Sequence, residues 1–141
     1  MMLITFEGGE GSGKSTQSRL LFEACQSAGI SALHTREPGG TKEADTIREL
    51  LVTGEPGRWD GVAETLLHYA ARRHHVQNVI KPALAEGTLV ICDRFTDSTF
   101  AYQGAGHGLD ISPVHQFTVG DFAPDLTLIF DIDVEKGWHG Q

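Results

Sequence analysis

Apolar positions along this chain follow two alternating rhythms, one suited to strands and one to helices. Leu3-Ile4-Thr5-Phe6 is a short apolar run with β character. Leu20, Leu21, Ala24, Cys25 and Ala28 then recur at helical spacing, and Gly29 stands where a helix would end. Ala32-Leu33-His34-Thr35 is a weaker strand candidate that leads into the loop Arg36-Glu37-Pro38-Gly39-Gly40. Thr41 occupies an N-cap position before a helix whose face is Ala44, Ile47, Leu50 and Leu51. A turn from Gly54 to Gly61 precedes a longer helix, with Val62, Leu66, Tyr69, Val76 and Ile80 as its stripe and Pro82 set to kink or restart it. Leu89-Val90-Ile91-Cys92-Asp93 and Leu126-Thr127-Leu128-Ile129-Phe130-Asp131 are continuous apolar runs, each ending in aspartate. Such runs suit strands buried on both faces, and helices between them make the sheet parallel. A helix near Asp97 to Ala101, a glycine-rich turn from Gly104 to Gly108 and a helix from Pro113 to Val119 fill the interval. The expected fold is a single α/β domain over residues 1–141, three layers about a parallel sheet.

Between the first strand and the first helix lies Gly8-Gly9-Glu10-Gly11-Ser12-Gly13-Lys14-Ser15, followed by Thr16. It has the form G-x-x-x-x-G-K-[ST], the phosphate-binding loop of nucleotide triphosphatases and kinases. The glycines let backbone N–H groups curl around a phosphate, and the helix points its positive end at it. Lys14 supplies a charge for the β- and γ-phosphates of ATP, and Ser15 a hydroxyl for Mg²⁺. Ligands of parallel sheets bind beyond the C-terminal strand ends, where this loop, Asp93 and Asp131 fall together.

Charge sharpens this picture. The formal net charge is −8, which argues against a nucleic-acid partner. Of 11 lysines and arginines only Lys136 follows Arg94, so the cations accompany the phosphate loop. No apolar run is long enough to span a membrane and no leader peptide is recognisable, while Cys25 and Cys92 fall in buried elements, so a cytoplasmic protein with structural thiols is expected.

Other residues carry chemistry less sharply. Asp93 would hold Mg²⁺ directly or through water, and Arg94 would clamp an acceptor phosphate; the alternative is a strand-end ion pair. Arg72 and Arg73 point about 100° apart on a helix, so one faces a pocket at most. His74 and His75 diverge likewise, and a solvated polar face is the expectation rather than a metal site. Glu10 is odd beside phosphate unless it meets a metal or a substrate hydroxyl; the alternative is that it points to solvent.

Taken in order, the phosphate loop, Thr35-Arg36-Glu37-Pro38-Gly39-Gly40-Thr41, Tyr69-Ala70-Ala71-Arg72, Ile80-Lys81-Pro82-Ala83-Leu84, Asp93-Arg94-Phe95 and Ala101-Tyr102-Gln103-Gly104 resemble bacterial thymidylate kinases. The resemblance implies a P-loop kinase fold, transfer of the γ-phosphoryl of ATP to dTMP to give dTDP, a need for Mg²⁺, and a homodimer. It implies that Gly8 to Thr16 cradle ATP, with catalytic roles for Glu10, Lys14, Asp93 and Arg94 and metal contacts from Ser15 and Asp93. Glu37 and Pro38 would line the dTMP site, Arg48 and Arg94 hold its phosphate, Arg72 and Gln103 address thymine, and Thr99 and Tyr102 lie beside base and sugar.

Three departures accompany the resemblance. His68 stands where the family commonly stacks an aromatic ring on thymine, and its protonation would be felt near the ordinary value of about 6.5. Gly106-His107-Gly108 replaces a Gly-Arg-Gly turn. The arginine-rich lid, last strand and final helix have no counterpart, so the expectation is a C-terminally truncated member. Two alternatives stay open on the residues: a deoxynucleoside kinase, or a non-catalytic nucleotide-binding fragment.

Overall fold

A computed structural model describes residues 2–9, 11–95 and 108–130. Four parallel strands form its centre in the order β2-β3-β1-β4: β1 is Leu3–Gly8, β2 Ala32–Arg36, β3 Leu89–Asp93 and β4 Leu126–Phe130. The register brings strand ends level, with Phe6 and Arg36 both opposite Asp93 and Gly8 opposite Phe130. A shared rim at the C-terminal end of the sheet results.

Successive strand residues point to opposite faces, and each face has its own core. On one face Leu3, Val90 and Cys92 pack with Val76, Ile80 and Phe95. On the other Ile4, Phe6 and Ile91 pack with Leu21 and Phe22. Helix α1 (Lys14–Ser27) supplies the second layer; α3 (Gly61–His75), a π-helical turn (Val76–Ile80) and α4 (Lys81–Ala85) supply the third. Helices α2 (Lys42–Val52) and α5 (Ser112–Thr118) pack on α3, the latter around Tyr69, Ile111 and Val119.

Local chemistry fixes the element ends much as the sequence suggests. Thr41 Oγ1 accepts the Ala44 N–H at 2.9 Å and Asp60 Oδ1 that of Ala63 at 2.7 Å, satisfying otherwise orphaned donors. Helix α1 ends with Gly29 at φ 76°, the Gly29 N–H on Gln26 O and the Ile30 N–H on Cys25 O, a Schellman closure. Pro82 restarts its helix: the Lys81 N–H reaches back five residues to Val76 O, and Pro82 falls in the first turn of α4, where no N–H is needed. Cys25 and Cys92 are buried and free.

Three expectations are corrected. The buried face of α1 is Lys14, Ser18 and Cys25, with Leu21 and Phe22 half-buried, while Leu20, Ala24 and Ala28 are exposed. Polar Ser18 tolerates burial because its hydroxyl donates to Ser15 O at 3.1 Å and meets His34 Nε2 at 3.1 Å. On α3 the buried face is Thr65, Tyr69 and Arg72, and Val62 and Leu66 are exposed, because distant polar partners let Arg72 turn inward. Strand β4 is not buried on both faces: Leu126, Leu128 and Ile129 are exposed, since β4 has β1 alone as its neighbour among the described residues. The helix expected near Asp97 to Ala101, Asp131 and the glycine turn up to residue 107 lie outside the described residues.

Candidate active site

The phosphate loop leaves β1 and enters α1 at the sheet rim. Gly8, Gly11 and Gly13 have φ of 148°, 77° and 87°, conformations that side chains oppose. A Cβ on Gly8 would stand 2.6 Å from the carbonyl oxygen of Phe130, so glycine here lets the loop lie directly against β4. The loop encloses about 330 Å³, lined by Gly9, Gly11, Ser12, Gly13, Lys14, Ser15 and Thr16. Residues of the first turn of α1, whose N–H groups have no intrahelical acceptor, line this hollow. Lys14 is mostly buried, so its charge is placed in advance rather than searching from solvent. Ser12 Oγ is buried without a hydrogen-bond partner among the described residues. Polar room, backbone donors and a placed cation fit the phosphates of a nucleotide.

A second hollow of about 370 Å³ adjoins Lys14 and Ser15 and is lined also by Arg36, Glu37, Pro38, Arg48, Val52, Asp93 and Arg94. Four cations face it in a chain whose net charge is −8. One of its two carboxylates, Glu37, is already neutralised by Arg72. The surplus is positive, which suits an anionic guest. The other, Asp93, has Oδ2 3.4 Å from His34 Nε2, whereas its Oδ1 is buried and without a partner among the described residues. Such an orphaned oxygen fits a role toward Mg²⁺, which retains several waters and takes few protein ligands. No group of three or more metal-binding side chains occurs among the described residues, so phosphate and water would complete the shell.

Arg94 adopts φ 66°, left-handed for a residue with a side chain, at a cost of about 1–2 kcal/mol. Its surroundings hold it there. The Arg94 N–H donates to Phe6 O at 2.8 Å, the Cys92 thiol to Arg94 O at 3.2 Å, and the Phe95 N–H to buried Glu7 Oε2 at 2.7 Å. Burial pushes the Cys92 thiol well up, keeping it a protonated donor. Glu7 escaped the sequence reading, although a carboxylate in a β run bound for the core was a signal that it had a partner.

Behind this hollow lies a buried network. Arg72 Nε donates to Glu37 Oε1 at 2.6 Å and its Nη2 to Phe95 O at 3.0 Å, while the guanidinium stacks over Tyr69 and Phe95. Arg72 Nη1 is buried with no partner among the described residues. Arg73 is exposed and donates to Thr118 O, as its 100° offset requires. The expectation of a solvated His74-His75 pair fails at His75. That ring is wholly buried, with Nδ1 2.7 Å from Glu37 Oε2 and Nε2 2.7 Å from Thr35 Oγ1. His74 is partly exposed against Thr41. The reason is pairing over 38 residues, which no local pattern displays.

His68 sits one turn before Arg72. Burial, and then the Arg72 charge, lower its pKa to about 4 against a smaller opposite effect of Glu37. The expected titration near 6.5 is therefore replaced by a neutral ring. Lys14, Ser15, Glu37, Pro38, Arg48, Asp93 and Arg94 thus gather at one hollow, with Arg72 joined through Glu37. Glu10, Thr99, Tyr102, Gln103 and His107 lie outside the described residues.

A glycine-rich loop between a central parallel strand and its helix, with ligand-sized hollows at the strand ends, defines a P-loop α/β fold of the nucleotide-binding type. A family model described as thymidylate kinase matches residues 6–139. The chain belongs to the thymidylate kinase family. It is 53% identical over 137 residues to a thymidylate kinase of Caulobacter vibrioides, covering 95% of this chain and 66% of that protein. With one of Afipia carboxidovorans it shares 55% over 139 residues, 96% of this chain and 61% of the relative. It therefore spans less than two-thirds of either relative's length. A crystal structure of thymidylate kinase from Ehrlichia chaffeensis superposes with a TM-score of 0.84 at 45% identity, covering 98% of this chain and 80% of that one.

Proposed function

We propose that this protein transfers the γ-phosphoryl group of ATP to dTMP, giving dTDP and ADP. The observation that carries the reading is the hollow where Lys14 and Ser15 of the phosphate loop share walls with Arg48, Asp93 and Arg94. An acceptor that already bears a phosphate repels ATP, and a pocket for it needs cations beyond those of the donor loop. Arg48 and Arg94 meet that need, and a guanidinium can hold a phosphate through two parallel bonds. Lys14 and the loop N–H groups would hold the donor phosphates while an acceptor phosphate oxygen bonds to the γ-phosphorus and the bond to the β-phosphate oxygen breaks. Mg²⁺, held by Ser15 and Asp93, would supply charge neutralisation at the phosphate oxygens. Glu37, Pro38, Arg72 and His68 would border the base, and Glu10, Thr99, Tyr102 and Gln103 enter by family resemblance. The names of the relatives support the same activity.

The chain reads as one domain that acts as a homodimer in the cytoplasm. Exposed Val62 and Leu66 border an apolar groove of about 200 Å³ with Leu109, Ile111 and Val114, which suits contact with a second copy. Two buried free thiols suit a reducing compartment, and no described helix is long and apolar enough to cross a membrane.

Calorimetric titration tests the reading directly. The chain should bind dTMP more tightly than thymidine by about 10²-fold, the scale of desolvated charge-assisted contacts. Lys14→Ala should weaken ATP binding or turnover by about 10²-fold or more. Equal affinities for dTMP and thymidine would instead point to a nucleoside kinase.

A further inference from the structure

We propose that His75 is a positioning residue of the acceptor site: it holds Glu37, and through Glu37 it sets the plane of the Arg72 guanidinium. The inference rests on the dTMP reading above, in which Arg72 Nη1 meets the base.

The geometry runs from the helix outward. Arg72 and His75 are three residues apart on α3 and share a face, so both can grip one group opposite them. That group is the Glu37 carboxylate, with Arg72 Nε at 2.6 Å on one oxygen and His75 Nδ1 at 2.7 Å on the other. A carboxylate held from both sides has no free rotation. The imidazole is fixed in turn, since Nε2 lies 2.7 Å from Thr35 Oγ1 at the end of β2. A carboxylate only accepts, so Nδ1 is the donor toward Glu37, and the Thr35 hydroxyl occupies Nε2 on the other side of the ring. Gly40 closes the third side: a Cβ there would collide with the His75 ring. One imidazole thus touches the strand end, the acid and the glycine turn of the same loop, and the loop Glu37 to Gly40 is wrapped around it.

The consequence falls on Arg72. Its Nε is committed to Glu37 and its Nη2 to Phe95 O, and Nη1 is the buried donor left without a partner among the described residues. A planar guanidinium aims that donor wherever the other two bonds fix its plane. Without His75, Glu37 Oε2 loses its donor inside the protein, and the acid turns or admits water to recover one. Nη1 then no longer points at a fixed place. The phosphate loop is untouched by this chain of contacts, so the donor nucleotide should not register the change.

The test is a double-mutant cycle on the 141-residue chain, with calorimetric affinities for dTMP and for ATP. His75→Leu should weaken dTMP binding about tenfold or more, the scale of a hydrogen bond to a charged group. Its ATP affinity should stay within about twofold. His75→Asn places an amide N–H near Nδ1 and should recover most of the loss, whereas His75→Gln, whose amide falls near Nε2, should not. This pair carries the test if His75→Leu fails to fold. Arg72→Lys keeps the charge beside Glu37 and removes Nη1; in that background His75→Leu should change dTMP affinity by less than about twofold. Undiminished loss in the Arg72→Lys background, an equal loss for ATP, or recovery by Gln instead of Asn would overturn the proposal. Unchanged dTMP affinity in Arg72→Lys alone would instead remove the reading of Arg72 as the base contact.

Discussion

At the scale of single residues, the site is built by burying groups that ordinarily stay wet. His68 is an example with a measurable signature. Burial and the Arg72 charge lower its pKa from 6.5 to about 4, so the unfolded chain takes up a proton before the folded one does. The contribution of a neutral His68 to stability is complete above about pH 6.5 and is lost as pH falls toward 4. His68→Phe should therefore lose less thermal stability than the parent between pH 7 and 4.5, by on the order of 1–3 kcal/mol, in paired melting curves. The same neutrality should leave the proposed dTMP affinity insensitive to His68 ionisation between pH 6 and 8, about two to four units above its pKa. A larger ring at this position should tighten dTMP binding without altering its pH profile. Burial, and then the Arg72 charge, also lower the pKa of the nearby His115, whose Nδ1 lies 3.0 Å from the Tyr69 hydroxyl.

At the scale of elements, the turn after β3 decides where Arg94, one of the two proposed acceptor cations, leaves the sheet. Arg94 is left-handed and is kept so by its neighbours, with Glu7 accepting the next N–H along the chain. Glu7→Ala would leave the Phe95 N–H buried and unpaired, and melting should show a loss of about 1–3 kcal/mol. Glu7→Gln retains an acceptor oxygen and should recover most of that loss; dTMP affinity, read by titration, should follow the same order as stability. This turn also marks what a sequence can disclose. The strands, the caps at Thr41 and Gly29 and the phosphate loop depend on residues within about a turn of one another, and local pattern reveals them. Glu7 with Phe95, and His75 with Glu37, are satisfied across 88 and 38 residues, so their burial follows from the tertiary fold alone. Leu20 and Leu66 fail in the opposite sense, being apolar and exposed on helices whose inner faces are occupied by Ser18 and Arg72.

At the scale of the whole molecule, the exposed apolar groove between α3 and α5 is where a second copy is expected to rest. Leu66→Glu should shift sedimentation toward a single chain while leaving ATP titrations unchanged, because the groove shares no lining residue with the phosphate loop. The sheet order has a further consequence, in time rather than in space. Leu3 gives its N–H to the Asp125 carboxylate and its carbonyl to the Asp125 N–H, a pairing that spans 122 residues. On a ribosome making about 5–20 residues per second, β1 therefore waits roughly 6 to 25 s for that partner. Pairing so distant also carries a loop-closure cost that slows it further. The carbonyl of Phe130 that packs against Gly8 arrives with the same late strand. The phosphate loop is therefore made well before the strand against which it closes.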